Sequence, residues 1–201
     1  MRPARLPALS VFSALLAACA GDAPPPDARP DPAAPPQIEE DAWFASYTAT
    51  RVFDVPRDVF AAWWADDGML GALVETEGLA PLVETGLVEG TGWPQTGARR
   101  WARQGNGHWL EERVLAADED GFRYQVWGYT DPAAAQVAYA LGSFEIEAAG
   151  EDATRLTWTY RYRPKSRIAR PFLDRFVQTR FAAFMEAGMD EAGRQLDAAS
   201  A

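Results

Sequence analysis

The order of elements legible in this 201-residue chain predicts an α+β fold, a curved antiparallel sheet of about seven strands wrapped around one long C-terminal helix. Two observations carry that expectation. Between residues 82 and 163, six segments rich in β-branched and aromatic residues follow one another with turn signals between them. After them comes a single long amphipathic stretch, from about Pro171 to Leu196. Strands linked by hairpins are antiparallel, and one apolar helix covers only the concave face of such a sheet.

Taken in order, "FASYTATRVFDV" (residues 44–55) mixes β-branched and aromatic residues with polar ones and suits a first strand. Pro56 fits a first helical position, and Val59, Phe60, Trp63 and Trp64 then repeat at three- and four-residue steps. Gly68 and Gly71 break this helix, leaving room for a second short one. Strands are expected at 82–89, 98–104, 108–117, 122–130, 136–148 and 154–163. The turns between them read as Gly105-Asn106-Gly107, Asp118 to Gly121, Asp131-Pro132 and Gly150 to Asp152. Along the closing helix Phe172, Leu173, Phe176, Val177, Phe181, Phe184, Met185 and Met189 form a stripe that drifts around the axis. A curved sheet gripping one helix rarely fills its own interior, so a hollow is expected between sheet and helix.

The N-terminal region divides differently. Arg2 and Arg5 precede an apolar run from Leu9 to Ala18, about ten residues and too short to span a bilayer, which reads as a secretory signal. Leu16-Ala17-Ala18-Cys19 resembles the lipobox of bacterial lipoproteins, which implies a lipid on the Cys19 thiol and cleavage before it. An ordinary signal peptide cut after Ala18-Cys19-Ala20 is the alternative. Ala20 stands where an inner-membrane retention signal would place Asp, so the resemblance implies the outer membrane, on its periplasmic side. From Asp22 to Gln37, seven prolines among alanines show no apolar periodicity and favour extended polyproline II. Such a tether could reach roughly 50 Å at about 3.1 Å per residue. The expected organisation is a signal peptide over 1–18, a lipidated cysteine and tether over 19–37, and one domain over 38–201.

Composition then excludes several chemistries. Without Arg2 and Arg5 the chain carries 17 basic against 29 acidic residues, which argues against nucleic acid as a partner. The one histidine, His108, flanks a turn and is expected at the surface, and the one cysteine cannot form an internal disulfide. No metal-ligand spacing and no phosphate loop is present, so no metal and no cofactor is expected. The domain is expected to be monomeric.

The last strand indicates the inner wall. Leu156, Trp158, Tyr160 and Tyr162 alternate with Arg155, Thr157, Thr159, Arg161 and Arg163, so the aromatic face should point inward, accompanied by Tyr124 and Val126. These are core residues or ligand contacts; the phenols keep the second reading open, since a buried hydroxyl seeks a partner. On a helical wheel Arg180 falls between Phe176 and Leu173, inside the apolar stripe, and Glu112 on a central strand is its expected partner, either as a structural ion pair or as a polar anchor for a ligand. "EGTGWPQTGARR" reads as a mobile glycine loop tipped by an exposed Trp93, or as a plain hairpin connection. The basic run "RYRPKSRIAR" is either a solvated strand face or a contact with anionic headgroups.

Three stretches, "TATRVFDVPRDVFAAWW", "TGARRWARQGNGHWLEERVLAADEDGFRYQV" and "GSFEIEAAGEDATRLTWTYRYRP", followed by the closing helix, resemble the SRPBCC superfamily (START, Bet v1, polyketide cyclase/dehydrase). The resemblance covers nearly the whole domain and implies the helix-grip fold. It also implies a small apolar ligand such as a lipid or polyketide, with the 90–98 loop as a gate. The leading expectation is therefore a lipid-anchored envelope protein that binds such a molecule, touching the membrane through Cys19. The ligand would be lined by Trp158, Tyr160, Tyr162, Tyr124, Val126, Glu112, Arg180, Phe184 and Trp93. Two alternatives remain: a cyclase, dehydratase or hydrolase using Glu112, Arg180 and the tyrosines, or a ligandless domain that docks a protein.

Overall fold

A computed structural model describes residues 23–39, 42–66 and 68–199; Cys19 and the signal segment lie outside the described residues. Strand β1 (Ala45–Phe53) leads through Pro56 into α1 (Arg57–Ala65) and α2 (Gly68–Ala72). Six strands follow: β2 (Leu82–Glu89), β3 (Arg99–Gln104), β4 (Trp109–Asp118), β5 (Gly121–Trp127), β6 (Val137–Ala148) and β7 (Thr154–Pro164). All pair antiparallel in the order β1-β7-β6-β5-β4-β3-β2, so β2 to β7 form a meander and β1 closes against its last strand. Pro56 sits one place before the helix rather than in it, its ψ of 155° being extended.

The closing helix comprises α3 (Arg170–Phe176), a π-helical segment (Val177–Phe181) and α4 (Ala182–Ala199). Leu173, Val177, Phe181, Phe184, Met185 and Met189 are buried against the concave face of the sheet. Phe172, expected in the stripe, lies at its edge in the first turn of α3 and is 57% exposed. The alternation on β7 is as the sequence predicts, with Leu156, Trp158, Tyr160 and Tyr162 buried and Arg155 and Arg161 exposed. The short helices are tied to α4 by Gln195, which accepts from Trp63 Nε1 at 3.1 Å and donates to the Gly71 carbonyl at 3.1 Å.

The expected tether departs from a free spacer. Residues 29–39 run across the convex face of the sheet from β3 to β7 and are held there by hydrogen bonds. Ala33 bonds to Glu111, Arg99 and Trp127, Pro36 to Gln125, and Glu39 to Tyr139 and Arg163. The reason is on the outer face itself, where alternation places Glu111, Gln125, Trp127 and Tyr139, and the segment buries them all. Residues fixed in this way add nothing to a tether's reach. His108, expected at the surface, is also buried, with Nδ1 3.1 Å from Thr130 Oγ1.

Candidate functional site

Inside the sheet lies a cavity of about 510 Å3, within the range of small-molecule sites. Its floor is Phe122, Phe144 and Trp158 from β5, β6 and β7. Phe144 stacks on Trp158 with centroids 5.2 Å apart. Trp64 of α1 closes one side, edge-on to Phe144 at 5.1 Å. Trp93, from the loop between β2 and β3, closes the other, edge-on to Phe122 at 5.9 Å. Met69 and Leu70 of α2, with Leu73 just after it, complete the wall. No described residue of α3 or α4 lines this space, so the hollow is enclosed by the sheet, the two short helices and the loop. It does not lie between sheet and long helix as expected. Phe181, Phe184 and Met185 fill that half of the interior instead.

The buried charge is placed by strand register. Arg100 stands opposite Glu112 in the β3–β4 ladder, both facing inward. Arg100 Nε donates to Glu112 Oε2 at 2.5 Å, and the two side chains are 12% and 5% exposed. The Trp93 ring lies over the guanidinium, 3.9 Å from it to the ring centroid. Burial of this degree costs an ion its hydration, and pairing within bonding distance together with the aromatic face offsets part of that cost. Arg100 reaches the cavity wall while Glu112 sits behind it.

Of the residues expected at the site, Trp158 and Trp93 line the cavity. Trp93 is half-buried and folded onto Arg100, where an exposed loop tip was expected. Tyr124, Tyr160, Tyr162 and Phe184 are buried in the core beyond the floor, in a continuous aromatic cluster with Phe181, and Val126 is buried there too. Arg180 is exposed, its guanidinium beside Gly78, and it does not meet Glu112. The wheel assumes 3.6 residues per turn, whereas the π-helical segment holds an extra residue and rotates Arg180 out of the stripe. Arg100, missed by the sequence reading, takes its place.

Desolvation holds the hydroxyls of Tyr124, Tyr129, Tyr160 and Tyr162 well above the ordinary phenol value, and the Glu112 carboxylate adds to the effect at Tyr124 and Tyr129. All four therefore stay protonated. Among the buried polar atoms without a hydrogen-bond partner are Trp158 Nε1 and Tyr129 Oη, both next to the aromatic cluster beyond the floor. The Tyr124 hydroxyl lies close to the first, and the Tyr160 hydroxyl to the second, without reaching hydrogen-bond geometry.

An antiparallel sheet of seven strands closed on a helix around an apolar hollow is the helix-grip architecture of the SRPBCC superfamily. Within it, residues 45–196 match the family described as polyketide cyclase / dehydrase and lipid transport, and the chain belongs to that family. Norcoclaurine synthase from Thalictrum flavum superposes with a TM-score of 0.57 at 12% identity, over 82% of this chain and 100% of that one. TTHA0849 from Thermus thermophilus gives 0.55 at 19% identity, over 78% and 99%. The Zhui aromatase/cyclase from a Streptomyces species gives 0.54 at 16% identity, over 77% and 96%. These likenesses establish the fold. No curated protein matches the chain.

Proposed function

We propose that this protein is a lipid-anchored component of the bacterial cell envelope that binds a small, largely apolar molecule in the cavity under α1 and α2. One observation carries the binding reading: a hollow of about 510 Å3 walled by Trp64, Trp93, Phe122, Phe144 and Trp158, with the cations Arg57 and Arg100 in its lining. Arg100 in the cavity wall is a donor, so the ligand is expected to present an acceptor, such as a carbonyl, carboxylate or sulfonate, on an apolar body. The family description covers both cyclase/dehydrase chemistry and lipid transport. Among the described residues lining the cavity, the only carboxylates are Asp118 and Glu119, which are exposed near the β4–β5 turn. The phenols lie behind the floor and hold their protons. That arrangement supports holding a ligand over acid–base catalysis.

The test is native mass spectrometry of the purified protein with lipid extraction, paired with displacement of a fluorescent apolar probe. Trp158→Ala should weaken probe binding, and Trp101→Ala, on the outer face, should leave it unchanged. Equal effects would remove the cavity as the site. For the anchor, Cys19→Ser should release the protein from the detergent phase or block processing; mature protein beginning at unmodified Ala20 or Gly21 would refute it.

A further inference from the structure

We infer that the convex face of the sheet is a second binding site, built for an extended proline-rich polypeptide and occupied in cis by residues 29–39. The contacts that hold this segment address its main chain more than its side chains. The Ala33 amide donates to Glu111 Oε1 at 2.6 Å, and the Ala33 carbonyl accepts from Arg99 Nη2 at 3.0 Å and Trp127 Nε1 at 3.2 Å. The Pro36 carbonyl accepts from Gln125 Nε2 at 2.9 Å, and the Glu39 amide donates to Tyr139 Oη at 3.1 Å. Five main-chain bonds from side chains of four strands select an extended backbone, and a proline-rich segment loses little entropy in adopting one. Trp101, Trp109 and Trp127 supply the aromatic floor on which such helices dock, with Arg29 over Trp101 at 5.7 Å to the centroid.

The groove also offers more than this occupant uses. Trp109 Nε1 and Gln125 Oε1 are buried there without partners, and a void of about 90 Å3 remains between Arg29–Ala33 and Trp101 and Trp109. The fit is that of a site and a ligand.

The experiment uses the chain from Ala20 onward. Hydrogen exchange should show the Ala33 and Glu39 amides protected by tenfold or more, in line with a bond to a charged or buried partner. Ala33→Pro removes the amide donor while keeping an extended backbone, and should return Glu39 to within about twofold of an unstructured chain. Ala34→Pro, next to it on the exposed side, should not. A labelled peptide of residues 23–39 should then bind the Ala33→Pro chain, read by fluorescence anisotropy, at least about tenfold more tightly than the parent, whose groove is filled. Unprotected Ala33 and Glu39 amides in the parent would overturn the proposal. Protected amides with a peptide that binds neither chain would overturn it too, since the segment would then be part of the fold and not the ligand of a site.

Discussion

Replacing Arg100 by methionine keeps the length and apolar stem of the side chain and strands Glu112 in the interior. The Glu112 side chain is 5% exposed and that of Arg100 12%, so water relieves little of the loss. Breaking a pair buried to this degree costs about 3–5 kcal/mol. For a domain of this size each kcal/mol lowers the melting temperature by about 2–4 °C, so Arg100→Met should melt about 6–20 °C lower. Adding Glu112→Leu removes the second ion and should recover most of that drop, because a hydrophobic pair in place of a buried ion pair is often neutral. Arg180→Met, at an exposed position, is the control and should stay within about 2 °C of the parent. The ligand role separates from the structural one in the double variant. A sulfonated probe such as anilinonaphthalene sulfonate should bind both the single and the double variant more than about tenfold more weakly, since the Arg100 guanidinium is gone from both, while a neutral apolar probe binds the double normally. A single variant that melts like the parent, or a double no more stable than the single, would refute the pairing. Unchanged sulfonate affinity would refute Arg100 as an anchor.

Gly142 lets the Tyr124 ring lie flat across β6. A Cβ there would stand 2.2 Å from the ring, so Gly142→Ala should cost about 1–3 kcal/mol in thermal melts. Gly86→Ala meets Trp101 at 2.4 Å, but that indole is half-buried and can swing outward, so its cost should be the smaller of the two. Alkali should unfold the protein once pH passes the ordinary tyrosine value of about 10. Above it the unfolded chain has released phenol protons that Tyr124, Tyr129, Tyr160 and Tyr162 still hold in the fold, so stability falls as pH rises; below it they contribute no pH dependence. Phenolate absorbance and near-ultraviolet circular dichroism should change together in one cooperative step. Independent ionisation of all six tyrosines near pH 10 in a folded protein would contradict the burial.

Strands and turns were legible because a period of two leaves little choice. Once Trp158 is inside, Tyr160 and Tyr162 must be as well. Whether an inward side chain lines a cavity or fills a core is a different question, set by how far Phe181, Phe184 and Met185 reach from the facing helix, and alternation carries no trace of it. The Arg100–Glu112 pair, by contrast, could have been read: the two positions are symmetric about Asn106 in the Gly105-Asn106-Gly107 turn, and hairpin register follows from the turn. The docked proline segment left one clue, a tryptophan at 127 on the face that should be wet. The exposure of Arg180 also left one. Leu173, Val177, Phe181, Met185 and Met189 are spaced by four at every step, and an unbroken α-helix would turn such a series through about 160°. The sheet cannot follow that drift, so the helix gives way.

The π-helical segment at Val177–Phe181 means that the longest helix carries a spare residue. Elsewhere in a packed helix, deleting one position swings everything beyond it by about 100° and empties the core. Here a deletion at Gln178 or Thr179 would let the segment close as ordinary α-helix, with Leu173 on one side and Met185 and Met189 on the other still turned toward the sheet. Length changes that other proteins confine to surface loops can thus be absorbed at mid-helix, directly across from Tyr160 and Tyr162. The interior wall has built-in slack, and variation among related chains could reshape it without disturbing a single strand.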